Sequence, residues 1–440
     1  MMKNAEKLID ALESAGYEAY LVGGCVRDML MGVTPNDYDI TTNARPDEII
    51  GVLSSYKVIP TGIKHGPVTV IAGNQPYEIT TFRADGEYTD HRRPDSVCFS
   101  DKLEDDLSRR DFTVNAMAYS KKRGLIDLFG GEDDIKKRVI KAVGEPQKRF
   151  DEDALRILRG IRFSSEKVFS IEENTRRAMN EKSDLLEYVS AERIFVELKN
   201  LLMGDGVFSA LTDFAYVIGA IIPALEPCIG FDQKNYHHIY DVYEHTAHAV
   251  ENCPKNVVLR LAALLHDVGK PATFTVKDGV GHFYGHPAAS VELARQTLNN
   301  LRCDNATKDT VLLLIKYHDL VIERTEKHVR SMMGKLGEEN LELLLQLKSA
   351  DNLAQSPLYH DRLAQYGEIR SIMQKIKENG DCFSLKDLAV KGGDIMMLGA
   401  KGRDVGRILD SLLALVINGE IKNDKEILLK KASKMLNTIK

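Results

Sequence analysis

Near residue 136 the chain changes character, and this change constrains its fold more than any other feature. Before it, strand-like runs alternate with helical segments: "VTVIA" is β-branched, "YEITTF" alternates, and "AYLVGG" runs apolar into a glycine pair. After it, "DALRILRGIRFSSE", "AERIFVELKNLLM" and "VVLRLAALLHDVG" carry apolar residues at helical spacing. The pattern predicts an α+β chain, a mixed-sheet head followed by an all-helical remainder. With 440 residues, 43% of them hydrophobic, there is too much chain for one ordinary core. We expect a head over 1–138, a helical neck over 139–230, a second helical domain over 231–360 and a helical tail over 361–440.

The net charge of −6 says little about partners, so a nucleic-acid substrate would require basic groups segregated on one face. Six cysteines are scattered without a CxxC pair, which predicts reduced thiols of a cytoplasmic protein rather than disulfides or a zinc ribbon. The start "MMKNAEKLIDALES" reads as an amphipathic helix rather than a signal peptide, and no apolar run is long enough for a membrane span.

The segment "LVGGCVRDMLMGVTPNDYDITT", Leu21 to Thr42, concentrates chemistry. On a strand, Asp37 and Asp39 share one face, where two carboxylates suit a hard divalent cation such as Mg²⁺. Gly23 and Gly24 permit a turn to approach phosphates, and "CVRDML" reads as a helix whose N-terminus favours anions. Arg27 lies one turn inside it, within reach of a phosphate. Glycines for a triphosphate and aspartates for metals together predict a nucleotidyl-transfer site. Glu78 in "YEITTFR" is a candidate third carboxylate on a neighbouring strand.

Together, "VGGCVRDMLMG…NDYDITTNA", "RRDFTVNAMAY" and "EDALRILRGIRF" resemble, in order, the class II CCA-adding tRNA nucleotidyltransferases and related bacterial poly(A) polymerases, of the polymerase-β-like superfamily. The resemblance implies a nucleotidyltransferase head that uses Mg²⁺, CTP and ATP to add CCA to tRNA 3′ ends, with no DNA partner. It implies that Arg110, Asp111 and Asn115 contact the ribose and phosphates of the nucleotide, and it adds Arg159 to the nucleotide-binding set. "TGIKHGPVTV" also resembles a family segment, with Gly62, His65 and Gly66 in a strand-joining turn, and is given no catalytic role.

Asp153 and Arg156 are three apart, which predicts a shared helix face. Cytosine and adenine each offer an amino donor beside a ring-nitrogen acceptor, so a carboxylate and a guanidinium select them over uracil and guanine. The resemblance implies that this pair acts as a protein template, with Glu152 in support. Switching from C to A requires a mobile element. The polar segment Arg83 to Val97 reads as that loop, and, because enzymes of the family that add only CC tend to have it shortened, the resemblance implies from its full length competence to add A.

A second constellation follows: His245 in "YDVYEHTAHAV", His266 and Asp267 in "LLHDVGKP", His286, His318, and Asp351 in "KSADNLA". Imidazoles and carboxylates on facing helices suit a divalent transition metal or Mg²⁺. The order H…HD…H…H…D resembles the HD-domain phosphohydrolases and implies metal-assisted phosphoester hydrolysis. His245, His266, Asp267 and Asp351 would hold one metal. His286 and His318 would complete a second or bind phosphate.

The tail resembles that of the same enzymes. "GAKGRDVGRIL" offers amides at a helix start with Lys401, Arg403 and Arg407, suited to the tRNA elbow, while the neck would carry the acceptor end. Rival readings are an A-adding enzyme that works beside a CC-adding one, a poly(A) polymerase, and a phosphohydrolase whose head only binds tRNA.

Overall fold

The computed structural model describes residues 1–59, 67–86, 97–236 and 238–439. Gly62, His65, Gly66 and most of the Arg83–Val97 loop lie outside them. Contacts divide the chain into two compact units, Met1–Glu226 with Asn299–Cys303, and Pro227–Leu298 with Asp304–Lys440. The boundaries expected at 138 and 360 therefore fall inside these units. The boundary expected at 230 falls close to the division.

In the first unit, helix α1 (Met2–Ser14) buries Ala5, Leu8, Ile9 and Leu12, spaced for one helical face, toward a seven-stranded sheet. The strands are β1 (Ala19–Val22), β2 (Asp39–Thr42), β3 (Lys57–Ile59), β4 (Pro67–Ala72), β5 (Gln75–Thr81), and, beyond the small β6–β7 hairpin (Arg83–Asp85, Val97–Phe99), β8 (Met117–Ser120) and β9 (Gly124–Asp127). The sheet order is β3-β4-β5-β2-β1-β8-β9, mixed as expected, with only the β2–β5 pairing parallel. This puts β2 at the centre, where its carboxylate-bearing start faces the end of β1 through the Val22–Asp39 pair.

Helices α2 (Gly24–Leu30), α3 (Pro46–Val52), α4 (Leu103–Ser108) and α5 (Gly131–Lys137) belong to the head; α6 (Pro146–Glu152) and α7 (Leu155–Lys167) open the neck. On α7, Gly160 allows close approach to the "RRDF" segment, because a Cβ there would lie 2.7 Å from the Phe112 ring. Phe112 and Phe163 meet edge to face at 6.0 Å, so neck and head share one core here.

The second unit is helical as expected, with one small hairpin among the described residues, Thr275–Lys277 and Val280–His282. The helix Val257–Leu265 is apolar almost all round and buried, with Asn256 capping it by accepting from the Leu259 amide. Val242–Asn252 starts at Asp241, whose carboxylate accepts from the Glu244 amide. These two helices pack with Asn305–Tyr317 and Glu338–Leu353. The tail helices Gly392–Met397, Arg403–Ile417 and Lys425–Ile439 close over a core that includes Ile395, Leu412, Leu428 and Leu436. No helix among the described residues is long and apolar enough to cross a membrane. All six cysteines are free.

Candidate functional sites

In the head, the turn after β1 begins at Gly23, whose φ of 79° belongs to a region that a side-chain-bearing residue rarely adopts. Helix α2 starts at the next residue, Gly24, so the second glycine belongs to its first turn, one residue before the expected start at Cys25. Asp37 and Asp39 are exposed on either side of Tyr38, which is 5% exposed; Asp39 opens β2, whereas Asp37 lies in the segment before it, outside the strand on which the shared face was expected. The parallel register pairs Ile40 with Ile79, so Glu78 stands beside Asp39 on the adjoining strand.

Asp39, Glu78, Arg83, Arg109 and Arg110 all line one cleft of about 220 Å³. Desolvation by the surrounding cleft walls, although the residue keeps solvent access, then the neighbouring Asp37 and Glu78 carboxylates, push Asp39 up to about 6. Crowding of like charges that Arg110 offsets only in part marks a donor set suited to a hard divalent ion.

Beyond the cleft, Arg27, Asn115, Asp111 and Arg159 form one chain of hydrogen bonds. Arg27 Nη1 donates to Asn115 Oδ1 at 2.7 Å, and Asn115 Nδ2 donates to Asp111 Oδ1 at 3.3 Å. Arg159 Nε donates to Asp111 Oδ2 at 2.8 Å. Burial would raise Asp111, but Arg159 dominates and brings it down to about 2. Arg27 also bonds Asp28. Its guanidinium, with those of Arg159 and Arg162, lies over the Phe163 ring.

The expected common helix face for Asp153 and Arg156 needs correction. Asp153 lies between α6 and α7 in extended conformation (φ −143°), because its Oδ1 accepts from the Leu155 amide and starts a new helix. Its Oδ2 accepts from Arg193 at 2.9 Å. Arg156 donates instead to Glu152 Oε2 at 2.6 Å and to the backbone carbonyls of Arg149 and Arg109. Sequence reasoning missed Arg193, which has no spacing relation to Asp153.

In the second unit, His245, His266, Asp267, His286, His318 and Asp351 do converge. Each imidazole is tethered through Nδ1 to a backbone carbonyl: His245 to Ala354, His266 to Ala263, His286 to Phe283 and His318 to Ile315. This fixes the four Nε2 atoms toward a common centre. Asp267 spans it. Its Oδ2 lies 3.4 and 3.2 Å from His245 and His266 Nε2, and its Oδ1 lies 3.4 and 3.7 Å from His286 and His318 Nε2. Asp351 Oδ1 approaches His245 and His266 at 3.0 and 3.6 Å.

Two groups of potential metal ligands result, His245–His266–Asp267 and Asp267–His286–His318. The Nε2 atoms of His245 and His266 are buried without a hydrogen bond, which fits donors to a metal ion. Burial alone would raise Asp267 and Asp351, but His266 and Lys270 hold the first well below the carboxylate range, and His245 and His266 the second. Lys270 Nζ bridges Asp267 at 2.7 Å and Gln233 at 2.8 Å. The adjoining pocket, about 300 Å³, is also lined by His238, Phe283 and Tyr284. Sequence reading missed Gln233 and His238; they precede the first expected histidine without a motif of their own. In the tail, Lys401, Arg403 and Arg407 are exposed at the start of Arg403–Ile417.

Comparison with known proteins places these features in context. Models for the poly A polymerase head domain match residues 19–141, for the "Probable RNA and SrmB-binding site of polymerase A" 168–213, and for tRNA nucleotidyltransferase domain 2 288–432. A CCA-adding enzyme of Ligilactobacillus salivarius is 32% identical over 437 residues, 99% of this chain and 96% of that one. One from Lactobacillus delbrueckii subsp. bulgaricus is 50% identical over 210 residues, 48% of this chain, and the chain spans about half of that relative's length (52%). The crystal structure of Bacillus stearothermophilus CCA-adding enzyme in complex with CTP superposes with a TM-score of 0.75 at 28% identity, covering 99% of this chain and 98% of that one.

Proposed function

The chain belongs to the CCA-adding enzyme family, and from that premise we propose that it adds C, C and A to tRNA 3′ ends from CTP and ATP. The observation that carries this reading is the cleft uniting Asp39 and Glu78 with Arg109 and Arg110 beside the Gly23 turn. Asp37 and Asp39 would hold Mg²⁺, which when bound supplies charge neutralisation at the α-phosphate and the leaving pyrophosphate. Gly23 and Gly24 let backbone amides approach the phosphates. Arg27, Asp111, Asn115 and Arg159 brace the ribose side as one network. Asp153 accepts from the base amino group while Arg156, supported by Glu152, donates to the ring nitrogen. Asp153 accepts from Arg193, and Arg156 donates to Glu152, so each base-reading group is braced by a neighbour.

A second activity is supported by the convergence of four tethered imidazoles on Asp267. His245, His266, Asp267 and Asp351 would hold one divalent ion, and Asp267, His286 and His318 a second. Bound there, such ions supply phosphoryl polarisation and an activated water for phosphoester hydrolysis. Lys270 and the pocket walls would then receive the phosphate. The basic start of the helix Arg403–Ile417 would contact the backbone of the tRNA elbow.

The test uses the purified chain, Mg²⁺ and tRNA transcripts that end at the discriminator base, at C and at CC, each given CTP, ATP or both. Three-nucleotide extension of the first is expected. Extension of the CC-ended transcript alone, with ATP, would replace this reading by A addition. No extension of any transcript would overturn it.

A further inference from the structure

The geometry assigns to Asp106 a positioning role: it holds the Arg109 and Arg110 guanidiniums on the wall of the Asp39–Glu78 cleft, where they receive the triphosphate of the incoming nucleotide. This inference rests on the nucleotidyl-transfer reading above. Asp106 lies on α4 and is completely buried. Its Oδ1 accepts from Arg109 Nε at 3.1 Å and Nη2 at 2.6 Å. Its Oδ2 accepts from Arg110 Nη2 at 3.2 Å and the Thr41 hydroxyl at 3.3 Å. Thr41 is two residues beyond Asp39 on β2, so this carboxylate is anchored on the strand face that bears the proposed metal ligands.

The stoichiometry of charge is informative. One carboxylate gathers two guanidiniums, which leaves a net positive charge beside the cleft. One guanidinium is enough to balance the charge of a buried carboxylate; the second is surplus in charge. Both arginine side chains remain about one-fifth exposed (19% and 21%) and line the cleft. Arg110 Nε is buried without a hydrogen-bond partner, and Arg110 Nη1 stands 3.0 Å from where a Cβ on Gly23 would lie. The guanidinium therefore rests against the turn suited to phosphates with donor capacity left over. The segment is fixed from behind as well: Arg149 donates to the Ser108 carbonyl and Arg156 to the Arg109 carbonyl.

Asp106 also keeps these cations from the wrong partner. Arg110 already acts electrostatically on Asp39. Freed from Asp106, it would pair with Asp39 or Glu78 and compete with the cation they are suited to hold. A pre-paired guanidinium gives up less conformational freedom when phosphate binds.

The decisive experiment compares Asp106→Asn with the wild type in the full chain. The KM for CTP should rise about tenfold or more while kcat stays within about threefold, the mark of lost uniform binding. Calorimetric affinity for inorganic tripolyphosphate should weaken in parallel, and that for cytidine should not. In an Arg109→Ala/Arg110→Ala background, Asp106→Asn should change tripolyphosphate affinity by less than about twofold, because its partners are gone. Unchanged tripolyphosphate affinity in Asp106→Asn, or an equal loss without the arginines, overturns the assignment. Should Asp106→Asn fail to fold, Thr41→Val removes one donor to the same carboxylate and should weaken tripolyphosphate by about two- to threefold; no change overturns the assignment. Tripolyphosphate binding is read without tRNA. Failure to extend tRNA would thus sink the nucleotidyl-transfer reading separately.

Discussion

The head cleft and the histidine cluster both gather charge, but they do so with opposite economies of burial. In the head, Asp37, Asp39 and Glu78 are exposed, before and on the adjoining strands β2 and β5, and the buried groups are those that hold the surrounding arginines. In the histidine cluster, the donors themselves are buried: His245 and His266 are 0% exposed and Asp267 is 2% exposed. The lesson concerns what each site admits. An open carboxylate edge suits a hydrated ion that arrives with a nucleotide, since Mg²⁺ keeps several waters. A buried set with fixed imidazole tautomers suits a resident ion.

The sharpest attempt to break this contrast is a reciprocal pair of variants. Asp37→Ala/Asp39→Ala should lower CTP incorporation at least about 10³-fold and leave phosphoester hydrolysis within about twofold. Asp267→Ala should do the reverse, and should also reduce bound metal measured by elemental analysis of the dialysed protein. If either variant disabled both activities while still folding, the two sites would not be independent.

A smaller effect tests how base selection is braced. Arg193→Ala frees the Asp153 carboxylate, and discrimination of CTP against UTP should fall by about tenfold, the scale of one polar contact. Unchanged discrimination, measured as a ratio of kcat/KM values, would mean that Asp153 needs no brace.

The smallest effect concerns stability. Asp111 is depressed from 3.8 to about 2 in the folded state, so its contribution is present above about pH 4 and is lost as pH falls through 2. Asp111→Asn should cost about 1–2 kcal/mol at neutral pH, less than the full shift because Arg159 is partly exposed. Melting curves of the two proteins should converge between pH 4 and pH 2. A gap that persists at pH 2 would show that shape, not charge, accounts for the loss.

Legibility in the sequence followed the range of the interactions. The shift to helix at residue 136 was readable because periodicity is local, whereas only Asp39 of the aspartate pair lies on β2, which starts two residues later than the pair suggested. The histidine set was readable because HD and its partners recur in one order, although nothing in that order shows Asp267 splitting its two oxygens between two groups. Glu78 was legible as a strand residue, but its place beside Asp39 depends on a parallel pairing that sequence does not encode locally. Asp153 was misread because i and i+3 share a face only if the helix is continuous, and its own carboxylate ends that continuity by capping Leu155. Asp106 carried a usable signal: an acidic residue three and four positions before two arginines on a helical stretch.

The hydrogen bond from Arg156 Nη2 to the Arg109 carbonyl joins two tasks that are usually pictured apart. On the proposed reading, one end of this contact faces the base and the other belongs to the segment that grips the phosphates. A nucleotide whose ring cannot satisfy Arg156 would then be felt at its triphosphate, by way of a single backbone oxygen. Fidelity in such a pocket is a matter of leverage: the wrong base is held loosely at the far end, where the bond is to be broken.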